Sequence, residues 1–456
     1  MKLTHRYITR IVLEAQTGLF VGSGDASLMK DALVQKDHNG WPMIQGTSLS
    51  GVIRHALEDN PNSRNDTTWK NIFGHQTSGL KEGIGSRIKI SSAYMMINEN
   101  CIAEGLHVED STVAKRKYNN LPSRQHVRIT DKGVALKNGL FDNEIVFKGT
   151  RFIFEIELKG TEADKSSWND IIQQLHSPLF RLGQGTRNGY GNLKVHTLRE
   201  RIYDLTSETD FEDYLNFDPS FNVENKGFLT PKYDLSNSNL VTYTLDLKPD
   251  QFFIFSEGFG DDQVDNKPIT EEVAVYKKKE NTIDFTLKTL IPASSIKGAL
   301  SHRTCFHYNK LEKKFADHGE GAFGEQNEAV QQLFGSMAGN GEAHRGTVIM
   351  DDLYLDEVDN DKIFNHVAID RFTGGAMDGA LFSEKVSYKK DGNLVFSIYL
   401  TKEFSGNVLL AFEDALRDIC KGLLPLGGMT TKGHGIFTGR LFKNNKNEFD
   451  YENEAN

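Results

Sequence analysis

The stretch that decides the fold is "RLGQGTRNGYGNLKV", residues 181–195, together with its counterpart "PLGGMTTKGHGIFTGRL", residues 425–441. Each is a glycine-rich loop that leads into a β-type run near the end of a long segment. A loop of this kind that occurs twice indicates an internal repeat, and a repeat changes how the whole sequence is interpreted.

Four further pairs of motifs occur in the same order in both halves. They are "WPMIQGTSLSGVIRHALE" (41–58) with "KTLIPASSIKGALSHRT" (288–304), "WKNIFG" (69–74) with "VQQLFG" (330–335), "IGSRIKISSAYM" (84–95) with "HRGTVIMDDLYL" (344–355), and "HVRITDKGVALKNGLF" (126–141) with "HVAIDRFTGGAMDGALF" (366–382). The separation between paired motifs drifts only as much as loop insertions would produce. The sequence therefore predicts one ancestral unit joined to itself.

Each half is predicted to be α+β. An opening strand with alternating apolar residues is followed by a helix that starts at serines, then by a late strand and a second helix that ends at glycine. This order predicts two tandem ferredoxin-like or RRM-like domains with large hairpin insertions. We place the domains at residues 1–202 and 240–456, the second with an acidic tail, and a polar linker at 203–239.

The composition excludes several classes of protein. In 456 residues, no apolar run approaches the ~18 residues of a membrane span, and the N-terminus lacks the apolar core of a signal peptide. We therefore expect a cytoplasmic protein without membrane contact. The three cysteines show no ligand spacing for zinc. A net charge of −10 argues against a general nucleic-acid binder, so any such site must be local or shared with partner subunits.

The two glycine-rich loops are candidate RNA-binding elements. Glycines let the main chain approach a ligand closely, and neighbouring donors, cations and an aromatic suit an RNA backbone. The candidates are Gly183, Gly185, Arg187, Gly189 and Tyr190 in the first loop, and Gly427, Gly428, Lys432, Gly433 and His434 in the second. A tight helix-to-strand connection is the alternative interpretation.

The helix starts "GTSLSG" and "ASSIKG" form a second candidate set. Hydroxyls and amides at a helix N-terminus favour an anion, although plain N-capping would need the same residues. The candidates are Ser48, Ser50 and Arg54 in the first half, and Ser294, Ser295 and Lys297 in the second, with Arg371 as a further cation. The hairpin-like arms that contain His126, Val127 and Phe141, and His366, Val367 and Phe382, could wedge between bases or pack on their own domain.

Together these motifs resemble the RAMP superfamily, and specifically the tandem backbone subunits of type III (III-D-like) CRISPR–Cas effector complexes. "AIDRFTGGAMDGALF" and "IPASSIKGALSHRT" are the closest matches, and the resemblance covers nearly the whole chain. It implies a modified RRM fold in each half, a chain that coats CRISPR RNA, and thumb-like hairpins that kink the guide–target duplex. It also implies complementary target RNA, other RAMP subunits and the large polymerase-like subunit as partners.

The resemblance further implies one acidic residue, after the first strand, that cleaves target RNA as an endoribonuclease. Asp31 occupies the matching place, and Asp25 and Asp37 remain alternatives. A carboxylate there could bind Mg²⁺ or Mn²⁺ or help to activate a ribose hydroxyl. The second half has Glu271 and Glu272 before "VAVY", which puts cleavage by that half in doubt.

Two other functions remain open at this stage. The chain could be a purely structural CRISPR-RNA-binding subunit without chemistry of its own. It could also be a metal-independent processing endoribonuclease, as other RAMP members are; the candidate histidines are His55, His126, His302, His366 and His434.

Overall fold

Each half of the chain is built around an antiparallel β-sheet. The computed structural model describes residues 2–26, 30–58, 66–76, 83–106, 112–130, 134–233, 240–315, 322–336, 343–356, 358–389 and 391–454. The first half contains strands β1 (His5–Ala15), β2 (Met43–Ile44), β3 (His75–Gln76), β4 (Gly83–Ile84), β5 (Ile88–Ile90), β6 (Ala93–Met95), β7 (Ser123–Ile129), β8 (Ala135–Glu144), β9 (Arg151–Gly160) and β10 (Leu193–Asp204), and helices α1 (Gly46–Glu58), α2 (Asp66–Phe73), α3 (Val113–Asn119) and α4 (Lys165–Gln174).

The second half repeats this order after a linker that contains α5 (Glu208–Leu215). Its strands are β11 (Val241–Pro249), β12 (Thr270–Lys277), β13 (Thr282–Ile291), β14 (Gly335–Ser336), β15 (His344–Arg345), β16 (Val348–Met350), β17 (Leu353–Leu355), β18 (Asp359–Ile369), β19 (Ala376–Tyr388), β20 (Leu394–Leu400), β21 (Phe437–Lys443) and β22 (Lys446–Asp450), and its helices are α6 (Ala293–Leu311), α7 (Glu328–Phe334), α8 (Gly406–Cys420) and α9 (Tyr451–Glu454).

The two sheets share the order of their three central strands. In the first, β1 lies between β10 and β9, and in the second, β11 lies between β21 and β20. The register also corresponds, because Ile11 faces Phe154 in the first sheet and Leu245 faces Phe396 in the second. The predicted fold class, two tandem ferredoxin-like α+β repeats, is confirmed.

The helices cover one face of each sheet because their apolar residues recur at helical spacing. Leu49, Ile53 and Leu57 of α1 are buried against the first sheet, and Ile296 and Leu300 of α6 are buried against the second. Within the described ranges, no helix is long and apolar enough to cross a membrane.

Each half also contains a two-stranded hairpin that is not part of its main sheet. Strands β7 and β8 form the first thumb, and β18 and β19 form the second. His126 pairs with Phe141 in the first thumb, and His366 pairs with Phe382 in the second. The hairpins predicted from the repeated "HV" segments are therefore present in both halves.

The stretch predicted as a linker, residues 203–239, is more ordered than its polar composition indicates. As far as residue 233 it is described, and it contains a helix and a segment that folds back on β1. There the guanidinium of Arg10 lies over the rings of Phe217, Phe221 and Phe228 at 5.1, 5.4 and 5.9 Å. These cation–π contacts attach the linker to the first sheet.

A buried charge network joins the two halves. Arg124, at the base of the first thumb, forms ion pairs with Glu271 and Asp352 of the second half, and its Nη2 lies 2.7 Å from Glu271 Oε2. Arg124 is 4 % exposed and Asp352 is 6 % exposed. Nearby, Lys148 and Val273 form a parallel bridge between the halves. These contacts set the position of one repeat against the other.

Candidate nucleic-acid interface

The first glycine-rich loop, residues 181–192, lies directly on the second half. Gly189 forms a parallel bridge with Asp351, and a Cβ atom at Gly189 would lie 2.0 Å from Asp352 Oδ1. Only glycine fits there, because its φ of 105° also lies in the left-handed region. The loop, the start of α6 and residues 345–346 form what we call the crease.

The crease brings several cations together, of which Arg181 is paired with a carboxylate. Burial, with repulsion from Arg345 and Arg181, lowers the pKa of Arg187 to about 10. Burial and the neighbouring Arg187 lower the pKa of Lys297 to about 8. Arg187 Nε donates to the carbonyl of Gly346, which carries no formal charge. Cations that repel one another at a partly buried position create a site that an anion would stabilise.

Arg181 adds donors without partners to the same crease. Its Nη1 pairs with Asp351, and Asn192 Nδ2 holds the other oxygen of that carboxylate at 3.0 Å. The side chain of Arg181 is 3 % exposed, yet its Nε and Nη2 have no hydrogen-bond partner within the described part of the chain. Buried donors normally have partners, so these two nitrogens carry a desolvation cost, and they add positive charge beneath the crease without being exposed to a ligand.

The predicted serines at the helix starts do not cap the helices. Ala293 N donates to Asp352 Oδ1 at 2.9 Å in the second half, and Gly46 N donates to Ser92 Oγ at 3.3 Å in the first. The candidate serines lie within the first five residues of these helices: Ser48, Ser50, Ser294 and Ser295. The capping interpretation is therefore wrong for these side chains, and the anion-binding one stays a prediction.

The first half lacks the cation pair of the crease. Ser50 occupies the position that Lys297 occupies in the repeat, and Arg54 is held by Glu58 at 2.7 Å and by the carbonyl of Gly74 at 3.3 Å. The guanidinium of Arg54 therefore links α1 to Gly74, the residue that follows α2.

The second glycine-rich loop has a similar main-chain form, with positive φ at the equivalent glycines. Gly427 has a φ of 95°, and a Cβ added at this position would lie 2.4 Å from the carbonyl oxygen of Ile254, whereas a Cβ at Gly433 would meet no described atom within 4 Å. Lys432 is exposed, and Gly428 N donates to Ile254 O at 2.7 Å. The loop positions Lys432 at an open surface.

Tyr190, predicted to stack on bases, is only 2 % exposed. Its hydroxyl bonds to His126 Nε2, and the guanidinium of Arg124 lies 4.5 Å from its ring. Its ring faces are therefore not available to a base, and the side chain instead fastens the first thumb to its glycine-rich loop.

His434 links the second thumb to the second glycine-rich loop, as Tyr190 links the first thumb to the first loop. His366 Nε2 and His434 Nε2 lie 2.9 and 3.3 Å from Glu384 Oε1, a fully buried carboxylate. Of the five histidines considered for metal-independent processing, only these two meet in the described ranges. His55 and His302 are exposed on α1 and α6.

Asp31 lies exposed at the base of the first thumb. Its Oδ2 accepts a hydrogen bond from Asp142 N at 3.1 Å, and its own amide donates to Asp142 Oδ1 at 2.9 Å. The alternatives are placed differently. Asp37 Oδ1 accepts from Trp41 N at 2.8 Å and closes a turn, and the carbonyl of Asp25 accepts from the amide of Leu33.

The sequence reasoning missed Asp265, which the structure places like Asp31. Asp265 is exposed at the base of the second thumb, and its Oδ2 accepts from Ser383 N at 2.8 Å. Asp142 and Ser383 are equivalent, because each directly follows the phenylalanine that pairs with the thumb histidine. The spacing in the sequence is a usable signal, because Asp31 follows Leu19 by as many residues as Asp265 follows Phe253. Leu19 and Phe253 are equivalent, since each forms an isolated bridge to the residue four positions after Asp142 or Ser383.

Glu271 and Glu272, the predicted acids of the second half, are engaged elsewhere. Glu271 pairs with buried Arg124 and accepts from Tyr354 Oη at 2.7 Å. Glu272 pairs with Lys117 Nζ at 2.6 Å. Both side chains join the halves of the chain, and Asp265 is the acidic residue whose position corresponds to that of Asp31.

The thumbs expose apolar side chains to an unusual extent. Phe372, at the tip of the second thumb beside the exposed cation Arg371, is 100 % exposed. Other exposed apolar thumb residues are Val127, Ile129, Val134, Leu136, Leu140 and Phe141 in the first thumb, and Ile363, Val367, Ile369, Met377 and Leu381 in the second. Surfaces of this kind usually contact a partner.

Asp31 and Asp265 each offer one exposed carboxylate for a divalent ion, at separate positions. Among the described residues, no group of three or more His, Cys, Asp or Glu side chains is arranged to hold a metal. Mg²⁺ commonly binds through one or two carboxylates, its waters and substrate phosphates. The exposed carboxylate oxygens of Asp31 and Asp265 fit this mode of binding and do not fit an all-protein site.

Comparison with protein-family models matches residues 12–194 and 259–438 to the RAMP superfamily. One match falls on each structural repeat. A search among curated proteins gives no significant match. Since the two matched regions make up most of the sequence and coincide with the two repeats, the chain belongs to the RAMP superfamily.

Proposed function

We propose that this chain is a guide-RNA-binding backbone subunit of a type III CRISPR–Cas interference complex and that it cuts target RNA. Membership of the RAMP superfamily indicates a CRISPR-associated RNA-binding subunit. The partners are then CRISPR RNA, complementary target RNA, other RAMP subunits and the large polymerase-like subunit. The type III role and the cleavage go beyond the family assignment.

The unneutralised charge of the crease is the observation that carries RNA binding. Lys297 and Arg187 come from different halves, and burial together with like charge nearby lowers the pKa of both. A phosphodiester placed between them would relieve this repulsion. The overall charge of −10 is compatible with such a site because it is local.

The thumbs and the acidic loops support cleavage of a second strand. Exposed apolar tips such as Phe372 can wedge between bases and displace a nucleotide. The carboxylates of Asp31 and Asp265 lie at the thumb bases, where such a nucleotide would be presented. A carboxylate there can accept the proton of a ribose 2′-hydroxyl. When bound, Mg²⁺ or Mn²⁺ would supply charge stabilisation at the phosphate.

Binding of labelled single-stranded RNA by the purified chain tests the first part of this proposal. We expect Lys297→Met with Arg187→Met to weaken binding about tenfold or more, since charge-assisted bonds to phosphate are lost. Lys310→Met is the matched control, because Lys310 is exposed at the far end of the same helix. Equal affinities for the double variant and the control would remove the crease from the RNA path.

A further inference from the structure

We propose that Asp142 is a positioning residue for Asp31, and that in the second repeat the main-chain bonds are sufficient for the same task. The inference rests on the proposed cleavage of RNA at the thumb bases. The side chain of Asp142 is therefore needed to hold the acidic residue of its repeat, whereas the side chain of Ser383 is not.

In the first repeat, the side chain of Asp142 holds the reactive loop. Asp31 N donates to Asp142 Oδ1 at 2.9 Å, and Asp142 N donates to Asp31 Oδ2 at 3.1 Å. The second oxygen of Asp142 accepts from Ser123 Oγ, on the neighbouring thumb strand, at 2.7 Å. The Asp142 carboxylate therefore links the loop of Asp31 to both strands of the thumb.

In the second repeat, the main chain of Ser383 makes the corresponding bonds. Asp265 N donates to Ser383 O at 3.0 Å, and Ser383 N donates to Asp265 Oδ2 at 2.8 Å. The hydroxyl duplicates these bonds, because it donates to Asp265 Oδ2 at 2.9 Å and accepts from Asp265 N at 3.2 Å. Removal of the hydroxyl would leave the loop of Asp265 fixed at both its amide and its carboxylate.

The two positions are equivalent but differ in what holds the acidic residue. Neighbouring ladder contacts are the same, since Glu144 N donates to Ala32 O in the first repeat and Lys385 N donates to Asn266 O in the second. The amide of Asp31 donates to a side-chain acceptor, whereas the amide of Asp265 donates to the carbonyl of Ser383 as well as to its hydroxyl. The pKa of Asp142 is lowered by the amide of Asp31 and the hydroxyl of Ser123, which favours the ionised acceptor.

Site-resolved cleavage by the assembled complex tests this assignment. The probe is an end-labelled target RNA, whose products report the first and second thumb bases separately, in single-turnover reactions. We expect Asp142→Ala to slow the first cut about tenfold or more and to leave the second cut and target-RNA affinity unchanged. Asp142→Asn should restore the first cut, because its amide oxygen can accept from Asp31 N and its nitrogen can donate to Ser123.

Ser383→Ala is the matched control and should change the second cut less than about twofold, since main-chain bonds remain. A first cut unaffected by Asp142→Ala, while Asp31→Ala abolishes it, would overturn the positioning role alone. A first cut that survives Asp31→Ala would overturn the proposed cleavage site itself. A first cut lost in both Asp142→Ala and Asp142→Asn would show that charge, and not positioning, is what Asp142 contributes, and would also overturn the inference.

Discussion

Asp265 stands in the second repeat where Asp31 stands in the first, although the two lie in loops of unrelated sequence. Each accepts, through Oδ2, a hydrogen bond from the thumb residue that follows the paired phenylalanine, at 3.1 Å for Asp31 and 2.8 Å for Asp265. Both carboxylates are exposed, so a ligand can reach either. The duplication therefore extends from the fold to the candidate reactive groups.

Replacement of each aspartate is expected to remove one product of target cleavage. Asp31→Ala should lower the rate of one cut, and Asp265→Ala the rate of another, by at least about a hundredfold. Each substitution removes the proton acceptor or ion ligand of its own centre. Gel analysis of end-labelled target RNA cut by the assembled complex measures this. Asp37→Asn is the control, since an amide oxygen can still accept from Trp41 N. Loss of a product in Glu272→Gln, but not in Asp265→Ala, would contradict the reassignment.

The sequence pointed to Glu271 and Glu272 in the second half, whereas the structure places Asp265 at the position that corresponds to Asp31. Glu271 precedes "VAVY" as Asp31 precedes "LVQK", but the hydrogen bonds between loop and thumb place Asp265 opposite Asp31. Glu271 instead faces Arg124, which lies far from it in sequence and belongs to the other half. A single sequence carries no periodic signal for such a long-range pair.

Other features were predictable because they depend on local patterns. The glycines of both loops, the apolar spacing of α1 and α6 and the alternation of β1 and β11 follow from main-chain and burial constraints that act over a few residues. The individual cations of the crease could be predicted from the sequence, but their proximity could not. Arg187 and Lys297 were chosen separately, and their meeting depends on how the two repeats dock.

Lys297→Met is expected to stabilise the free protein while it weakens RNA binding. The pKa of Lys297 is lowered to about 8, so the folded state carries the cost of a buried charge at pH 7, on the order of 3 kcal/mol. Between pH 8 and the unfolded value near 10.5, the unfolded chain keeps a proton that the folded chain has lost. The stability of the parent protein should therefore rise with pH across this window.

Thermal unfolding of Lys297→Met and the parent protein from about pH 7 to 10 checks this expectation. The stability difference in favour of the variant should shrink above pH 8, whereas Lys310→Met should give a difference near zero throughout. A variant that is less stable than the parent at neutral pH would show that Lys297 has a protein partner and would weaken the case for a ligand in the crease.

Arg124→Met is expected to be strongly destabilising. Without the guanidinium, the buried carboxylates of Glu271 and Asp352 face each other uncompensated, which costs about 3–5 kcal/mol. Urea denaturation should show a lower midpoint and, if the halves uncouple, two transitions in place of one. Arg199→Met is the control, because the Arg199–Glu224 pair is exposed and such pairs contribute about 0–1 kcal/mol. Equal midpoints for the two variants would contradict a structural role for the network.

Phe372→Ser is expected to change function without changing stability. The ring is fully exposed, so its removal from the free protein should alter the unfolding free energy by less than about 0.5 kcal/mol. If the tip wedges between bases, the cut assigned to Asp265 should slow in the assembled complex while guide binding persists. Phe306→Ser, on the exposed surface of α6, is the matched loss of an aromatic ring. An equal effect of both substitutions on cleavage would argue against a specific wedge.

His126 should make the protein sensitive to acid. Burial and the neighbouring Arg124 lower the pKa of His126 to about 4, below the usual value of 6.5. As pH falls from 6.5 to 4, the unfolded chain takes up a proton that the folded chain rejects, so stability is lost by up to about 1.4 kcal/mol per pH unit. Above pH 6.5 the contribution is fully present, and the neutral ring can keep its bond to Tyr190.

Chemical denaturation between about pH 4.5 and 7.5 measures this dependence. His126→Gln should flatten the profile, because no group with a depressed pKa remains at that position, although its midpoint at the upper end of the range should be lower from the lost contact with Tyr190. His55→Gln is the control, since the side chain of His55 is 76 % exposed. If both variants lose stability on acidification as steeply as the parent protein, the acid response originates elsewhere and the joint between thumb and loop is not its source.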